Sequence, residues 1–372
     1  MRPPPDGAES SYRASGVDYL VLDAAKRRAI EAAAATMGLP RRRGARVVEE
    51  SIGEPASLLE IGPLRLAVVL ECLGTKSLIA GEVEAALGVD RFSDVGVDAV
   101  AAVVNDLCCV GALPLTLNAY FATGSASWYS GTRHRSLVAG WRRACEAAGA
   151  AWVGGESPTL AGIVEPDAVD LAGSALGVVP DGAPSWLGSR LEPGDEIVLV
   201  ASSGLHANGA SLARRVASQI EGGWGSPLSS GRLYGEAVLD PSVLYVRLVE
   251  ALQRDPSVEV HYASHVTGHG LRKLMRAARR LSYRVSELPA VPEVLGFVAE
   301  AAGLSEREAY GTFNQGVGLA LFAASGHGEA VRELAGSLGY DAVVGGRVED
   351  GPRQVVLEPI AVTFGADELA LR

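Results

Sequence analysis

Positive charge is in short supply in this sequence, and cysteine more so. Lys and Arg total 33 against 44 Asp and Glu, a formal net charge of −11. That balance excludes a general nucleic-acid binder, which needs a basic surface to neutralise phosphates. Any anionic ligand must therefore be held by local donors. The 4 cysteines, Cys72, Cys108, Cys109 and Cys145, have no C-x-x-C spacing and lie in apolar contexts. A disulfide framework is excluded, and buried reduced thiols of a cytoplasmic protein are expected. No apolar run approaches membrane-spanning length, and Met1-Arg2-Pro3-Pro4-Pro5 leads into a polar segment without an apolar signal core. Neither a membrane span nor export is expected. Gly74-Thr75-Lys76-Ser77 lacks the first glycine of a Walker loop, and Gly316-Val317-Gly318 precedes a strand where a dinucleotide fingerprint precedes a helix. No internal repeat and no Ser–His–Asp-like grouping stands out.

What is present is a globular composition, 48% hydrophobic and 21% charged over 372 residues, too long for one ordinary core. Two domains are expected, 1–179 and 180–372, with Pro180 to Pro193 as an aperiodic junction. Met1 to Gly16 reads as a flexible arm. In the first half Asp23 is expected to cap a helix to Met37, Leu64 to Leu70 to form a strand, and Gly96 to Gly111 a helix with Val97, Val100, Val104 and Leu107 on its apolar face. Pro114 to Ala122 is the next strand, His134 to Gly149 the next helix, and Ala151 onward a short strand. Asp167 to Val179 is a small-residue strand. In the second half, Glu196 to Ala201 has the β-branched content of a buried strand and Ala210 to Ala217 reads as a helix. Asp240-Pro241 signals a helix to about Arg254. Strand Val258 to Ala263, helix Leu271 to Arg280, helix Pro292 to Ala302, strand Val317 to Ala323, helix His327 to Leu338 and strands near Ala342–Val348 and Gln354–Leu357 complete the chain. The fold class is α+β.

Chemistry concentrates at turns. Ser202-Ser203-Gly204-Leu205-His206-Ala207-Asn208-Gly209 joins a strand to a helix, a geometry that offers backbone N–H groups and a positive dipole end to an anion. Ser264 to Gly270 repeats the pattern. Three acids stand apart from the surface pattern: Glu71 at a strand end, Asp106 among the apolar Ala99, Ala102, Val103 and Val110, and Glu156 after Gly154-Gly155. A buried carboxylate needs a partner or a metal. Arg41 to Arg46 is either a solvated basic loop or a phosphate contact. Scattered acids with glycine turns suit phosphoryl transfer, which asks for positioning and charge neutralisation and no protein nucleophile.

Eight collinear segments then carry a likeness: Tyr12 to Asp18, Gly74-Thr75-Lys76, Val104 to Leu107, Tyr120 to Gly124, Gly154-Gly155-Glu156, Ser202 to Gly209, His265 to Gly270 and Thr312 to Gly318. Over Tyr12 to about Pro359 the chain resembles the phosphoribosylformylglycinamidine cyclo-ligase (aminoimidazole ribonucleotide synthetase) family. The resemblance implies a two-domain fold, each domain a mixed sheet packed with helices, with first domains pairing in a homodimer. It implies ATP and Mg2+, and a phosphorylated ribonucleotide substrate, with an amide oxygen phosphorylated before ring closure. Carried over, Glu71, Asp106 and Glu156 become the metal acids. Gly74, Thr75, Lys76, Asn105, Asp106, Gly154, Gly155 and Glu156 become ATP contacts. Ser203, His206, Asn208, Gly209, Thr267 and Gly268 become substrate contacts, and His206, Asp106 and Lys76 the catalytic set. The family's Asp-Gly is Glu71-Cys72 here, a family glycine is His269, and Arg46 to Ile61 holds few glycines. Selenophosphate synthetase and the hydrogenase-maturation dehydratase, from the same superfamily, carry cysteines this chain lacks at the corresponding places. A divergent kinase or synthetase with another substrate, and a non-catalytic nucleotide-binding paralogue, are the alternatives.

Overall fold

A computed structural model of the chain describes residues 19–369. The arm and the Tyr12–Asp18 segment lie outside the described residues. Helix α1 (Tyr19–Ala34) encloses Asp23 in place of starting at it. The first sheet comprises β1 (Ala45–Val47), β2 (Ser57–Ile61), β3 (Leu64–Cys72), β4 (Leu113–Thr123), β5 (Ala151–Glu156) and β6 (Val169–Val179), in the order β1-β2-β3-β6-β4-β5. Only its β4–β5 pair is parallel. Helices α2 (Lys76–Leu87), α3 (Phe92–Cys108) and α4 (Thr132–Ala148) belong to this half.

Alternation along β3 explains how the layer forms. Ala67 and Val69 turn inward and are buried, while Leu64, Val68 and Leu70 stand on the other face, Leu70 at 72% exposure. The inner face meets α3 through Val100, Val103, Val104 and Leu107, all fully buried. The α3–α4 contact is set by two glycines. A Cβ on Gly140 would lie 1.8 Å from the Ser93 carbonyl oxygen, and one on Gly96 would lie 2.5 Å from that of Leu137. Backbone therefore packs on backbone, and α3 has one seat on the sheet.

The second sheet comprises β7 (Glu196–Ala201), β8 (Val260–His265), β9 (Leu281–Val285), β10 (Val317–Ala323), β11 (Ala342–Asp350), β12 (Gln354–Leu357) and β13 (Val362–Gly365). Its order is β13-β12-β9-β11-β7-β10-β8, with β9–β12 parallel and the other pairs antiparallel. Strands β8 and β10 are buried along their whole length; β10 reads as an unbroken apolar run, while β8 carries His261, Ser264 and His265, each satisfied by a hydrogen bond. Helices α5 (Ala210–Gln219), α6 (Tyr234–Val238), α7 (Val246–Arg254), α8 (Glu293–Ala301), α9 (Glu306–Thr312) and α10 (Gly328–Ser337) complete this half. No helix among the described residues is long and apolar enough to cross a membrane.

Two expected helices are cut short. Residues 240–245 are irregular and α7 begins only at Val246, although Asp240-Pro241 is a strong start signal. Beyond Gly270 there is a single 3-10 segment, Gly270–Met275, and not a helix to Arg280. At the first, side chains of the first half take the backbone groups; at the second, Ser264 Oγ and Arg353 Nε donate to the Lys273 and Met275 carbonyls. The cysteines are all unpaired, and Cys108, Cys109 and Cys145 are buried as expected. Cys72, by contrast, is exposed, on the open side of β3.

Candidate active site

A cleft of about 330 Å³ opens between the halves. From the first half it is lined by Glu54, Glu71, Cys72, Ala101, Ala102, Asn105 and Asp106; from the second by His206, Ala207, Asn208, Ser242, His265, Thr267, Gly268, His269, Lys273 and Arg276. The seating of α3 decides which side chains enter. Asp98 and Asn105 are seven residues apart, two helical turns, so they share a face. Both hold the irregular 240–245 segment. Asp98 Oδ1 accepts from Ser242 N (2.8 Å) and Ser242 Oγ (2.5 Å), Asn105 Nδ2 donates to Val243 O (2.8 Å), and Tyr245 N donates to Asn105 Oδ1 (3.0 Å). These bonds take the backbone groups a helix would have used.

Asp106 is the centre of the charged groups. Its Oδ1 lies 2.8 Å from His265 Nδ1. Burial alone would raise the Asp106 pKa, but the hydrogen bond and charge of His265, with Lys273 and Arg276, outweigh it and hold the carboxyl below its usual value. Glu71 responds the opposite way. Burial first, then the charge and hydrogen bond of Asp106, push it up to about 7 against the pull of Lys273 and Arg276. Two adjacent carboxyls are thus driven apart, one ionised and one half-protonated near neutrality. Burial and the neighbouring Arg276 bring Lys273 down to about 8, opposed by Asp106 and Glu71. Its ammonium donates to Thr267 Oγ1. Arg276 donates to Gly53 O (2.9 Å) and lies 3.8 Å from Glu54 Oε2.

His206 is held as a neutral ring. Its Nε2 accepts from the backbone N–H of Ser203 (3.2 Å) and of Val243 (3.4 Å), so the ring proton is on Nδ1. Burial, with the charges of His265 and Lys76, lowers its pKa well below the ordinary value. Its backbone is left-handed, φ 56°. The resemblance implies a catalytic role for His206; in the structure its neutral ring is engaged in holding backbone. The imidazole ties the 202–209 turn to the 240–245 segment, and a shuttle needs a pKa near the working pH.

Of the expected site residues, the cleft unites Glu71, Asn105, Asp106, His206, Asn208, Thr267 and Gly268. The others lie elsewhere. Lys76 is fully buried, with Nζ 2.6 Å from Asp98 Oδ2 and 3.2 Å from Asp240 O, so its charge is committed to a structural pair and not to a phosphate. Thr75 Oγ1 meets Ser211 Oγ at 3.1 Å, and Gly74 supplies the left-handed turn (φ 71°) ahead of α2. Ser203 Oγ donates to Pro241 O (2.6 Å). Gly209 faces the Phe313 ring, which a Cβ there would approach to 2.2 Å. Gly154, Gly155 and Glu156 line a separate shallow hollow with Trp152 and Val153. Register explains the separation: Glu71 aligns with Gly173, Gly173 with Ala119 and Ala119 with Gly155, three strand spacings or about 14 Å across. Glu156 aligns with Tyr120 and so points to the opposite, open face.

The expected magnesium cage is therefore not assembled. Among the described residues, one trio of His, Cys, Asp or Glu brings its ligand atoms within 4.8 Å of one another, Glu192, Asp195 and His261, and it does not line this cleft. There His261 Nδ1 bonds Asp195 (2.9 Å) and Asp195 Oδ2 accepts from Glu192 N, a closed hydrogen-bonded turn. In the cleft, Glu71 and Asp106 are the two of the three expected acids that come together, with Glu54, Lys273 and Arg276 also lining it. Two carboxylates would hold a magnesium ion only together with oxygens from a bound nucleotide. The sequence reading missed Lys273, Arg276 and His265; the available signal was a pair of basic residues three apart directly after the Ser264–Gly270 turn.

Comparison with known proteins places this geometry. Residues 53–179 match the family model "AIR synthase related protein, N-terminal domain" and residues 192–358 match its C-terminal counterpart. The chain belongs to the AIR synthase family. The phosphoribosylformylglycinamidine cyclo-ligase of Pyrococcus furiosus is 32% identical over 354 residues, covering 95% of this chain and 99% of that protein. The enzyme of the same name from Methanothermobacter thermautotrophicus is 34% identical, covering 82% and 86%. Among solved structures, hydrogenase maturation protein HypE in complex with ATP matches with a TM-score of 0.59 at 20% identity, covering 82% of this chain and 84% of that one. AaThiL complexed with AMPPCP and TMP matches with a TM-score of 0.55 at 16% identity, covering 84% of this chain and 89% of that one. These likenesses show that the two mixed sheets packed with helices are the AIR synthase fold.

Proposed function

We propose that this protein is an ATP-dependent cyclo-ligase that closes the imidazole ring of formylglycinamidine ribonucleotide, giving aminoimidazole ribonucleotide, ADP and phosphate in purine biosynthesis. The observation that carries the reading is the end-to-end likeness, 95% of this chain and 99% of the relative, to an enzyme bearing that name. The cleft is consistent with it. Lys273 and Arg276 supply positive charge for phosphate groups in a protein of net charge −11. The Thr267-Gly268 and Ala207-Asn208 turns line the same cleft. In the proposed reaction the γ-phosphoryl group passes from ATP to the amide oxygen. The neighbouring amine then attacks the activated carbon, loses a proton and expels phosphate. The Asp106–His265 pair is the group placed to receive that proton, since His265 Nδ1 is oriented by the carboxylate at 2.8 Å.

The proposal includes a cytoplasmic homodimer, with the division into domains at 179/180. Leu64, Val68 and Leu70 on β3 and Leu115 on β4 form an apolar face at 43–72% exposure, the kind of surface that pairs with another. The experiment is incubation with ATP and formylglycinamidine ribonucleotide, with and without magnesium, scored for ring-closed product and ADP. A second reading, a nucleotide-binding paralogue without turnover, is favoured by one specific observation: Glu156, expected as the third metal acid, lies on the opposite face of the sheet from Glu71 and outside the cleft. ATP binding without either product supports that second reading.

A further inference from the structure

We infer that His269 is a specificity-determining residue of the cleft, its imidazole making a hydrogen bond to an oxygen of the phosphorylated ribonucleotide. The inference rests on the reading of this cleft as a ribonucleotide site, and it adds a contact that the family likeness does not supply. In that likeness the position is a glycine; here it carries a side chain that lines the cleft and is 5% exposed. The backbone gives the first reason. His269 is left-handed, φ 73° and ψ 3°, a conformation that glycine adopts freely and that a residue with a Cβ adopts at a cost. Among the described residues, the non-glycine positions with positive φ are His206, His269, Gln315 and Ala361, and the two histidines both line this cleft. Backbone strain is retained where the side chain it carries is used.

The second reason is that the turn has backbone supports of its own. Gly270 N donates to Thr267 O (3.1 Å) and Arg272 Nε to His269 O (3.1 Å). Arg272 is fixed in turn by the carbonyls of Gly311 (2.5 Å) and Glu368 (3.1 Å). Gly270, also left-handed at φ 55°, is the position where glycine is obligatory: a Cβ there would lie 2.2 Å from the Tyr310 carbonyl oxygen and 2.7 Å from that of Phe313. These contacts do not involve the residue 269 side chain, so the turn keeps its shape when that residue is glycine. The imidazole adds a donor and an acceptor nitrogen to the cleft wall, next to Thr267 and Gly268. That wall belongs to the second half, where the ribonucleotide contacts are proposed, and it places His269 against the ribonucleotide in preference to ATP.

The test uses the full chain, with formylglycinamidine ribonucleotide and ATP each titrated by calorimetry, both KM values measured where product forms, and a melting curve for every variant. Losing one hydrogen bond to a ligand lowers affinity by about three- to tenfold. His269→Gly is expected to weaken ribonucleotide binding by that factor and to raise its KM, with ATP affinity held within about twofold. Its melting temperature should lie within about 2 °C of the wild type or above it, because the glycine relieves the left-handed backbone. His269→Asn, which tolerates that backbone and keeps a donor and an acceptor, should hold the ribonucleotide within about twofold of the wild type. Unchanged ribonucleotide affinity in His269→Gly overturns the inference, as does an equal loss for both ligands. A His269→Gly protein that fails to fold, or whose loss tracks a lower melting temperature, makes the imidazole structural and also overturns it, as does a wild type that binds no ribonucleotide. Ribonucleotide binding that weakens in His269→Gly, when the wild type forms no ring-closed product, retains this inference and removes the cyclo-ligase reading. Ring-closed product from both proteins with the same KM does the reverse.

Discussion

Lys76→Met separates the two roles that Lys76 could have. In the structure its ammonium lies 2.6 Å from Asp98 Oδ2, both side chains are fully buried, and Asp98 in turn holds Ser242. At that distance the gross attraction is about 6 kcal/mol at an effective dielectric near 20, much of it offset by the desolvation of two ions. Removing Lys76 alone deletes the attraction and keeps the desolvation cost of Asp98, whose pKa burial already raises. Loss of one partner of a buried pair costs about 3–5 kcal/mol. In a chain of this size, that is roughly 4–6 °C in Tm, from an unfolding entropy that scales with length. ATP affinity should change by less than about threefold, because Lys76 does not line the cleft. Urea and thermal unfolding, with calorimetric ATP titration on the same samples, read both quantities. Lys76→Met with Asp98→Asn should recover most of the stability, since the neutral amide oxygen still accepts the two Ser242 bonds. A Lys76→Met protein that melts with the wild type and loses tenfold or more in ATP affinity refutes the placement and restores Lys76 as a phosphate ligand.

Other perturbations follow from the same contacts. Glu71 has a folded pKa near 7, above its ordinary value of 4.5, so the folded state keeps a proton that the unfolded state releases between those values, and stability falls as pH rises through that window. Glu71→Gln should therefore be more stable than wild type at pH 8, by about 3 kcal/mol, with the gain down to about 1 kcal/mol at pH 5 and gone by about pH 3.5; urea unfolding at the three pH values measures it. His206→Ala leaves the N–H groups of Ser203 and Val243 without their acceptor and should cost about 1–3 kcal/mol for each that stays dry, detectable as a lower urea midpoint. Leu70→Glu on the open face of the first sheet should convert a dimer to a monomer by light scattering and leave the monomer folded.

Much of the architecture is legible in the sequence because single-residue chemistry decides it. Glu196–Ala201, Val317–Ala323 and Gln354–Leu357 are strands with the expected ends, since apolar runs bounded by turn residues admit few alternatives. Gly270–Met275 and residues 240–245 are not legible, because their conformation is set by partners far along the chain. Asp98 reaches Ser242 over 144 residues and His265 meets Asp106 over 159. The same holds at the site. Asp106 betrays itself as a carboxylate among apolar neighbours, and Thr267-Gly268 as a glycine turn after a strand. Lys273 and Arg276 carry no local sign of facing Glu71, and Lys76 carries a misleading one, since a Lys after a Gly-Thr turn suggests phosphate until Asp98 is found beside it.

The most direct test of the proposed activity is product analysis with purified protein, ATP and formylglycinamidine ribonucleotide. The account predicts ring-closed aminoimidazole ribonucleotide, with one ADP and one phosphate formed per ring. Absence of that product under conditions where ATP binds would contradict it.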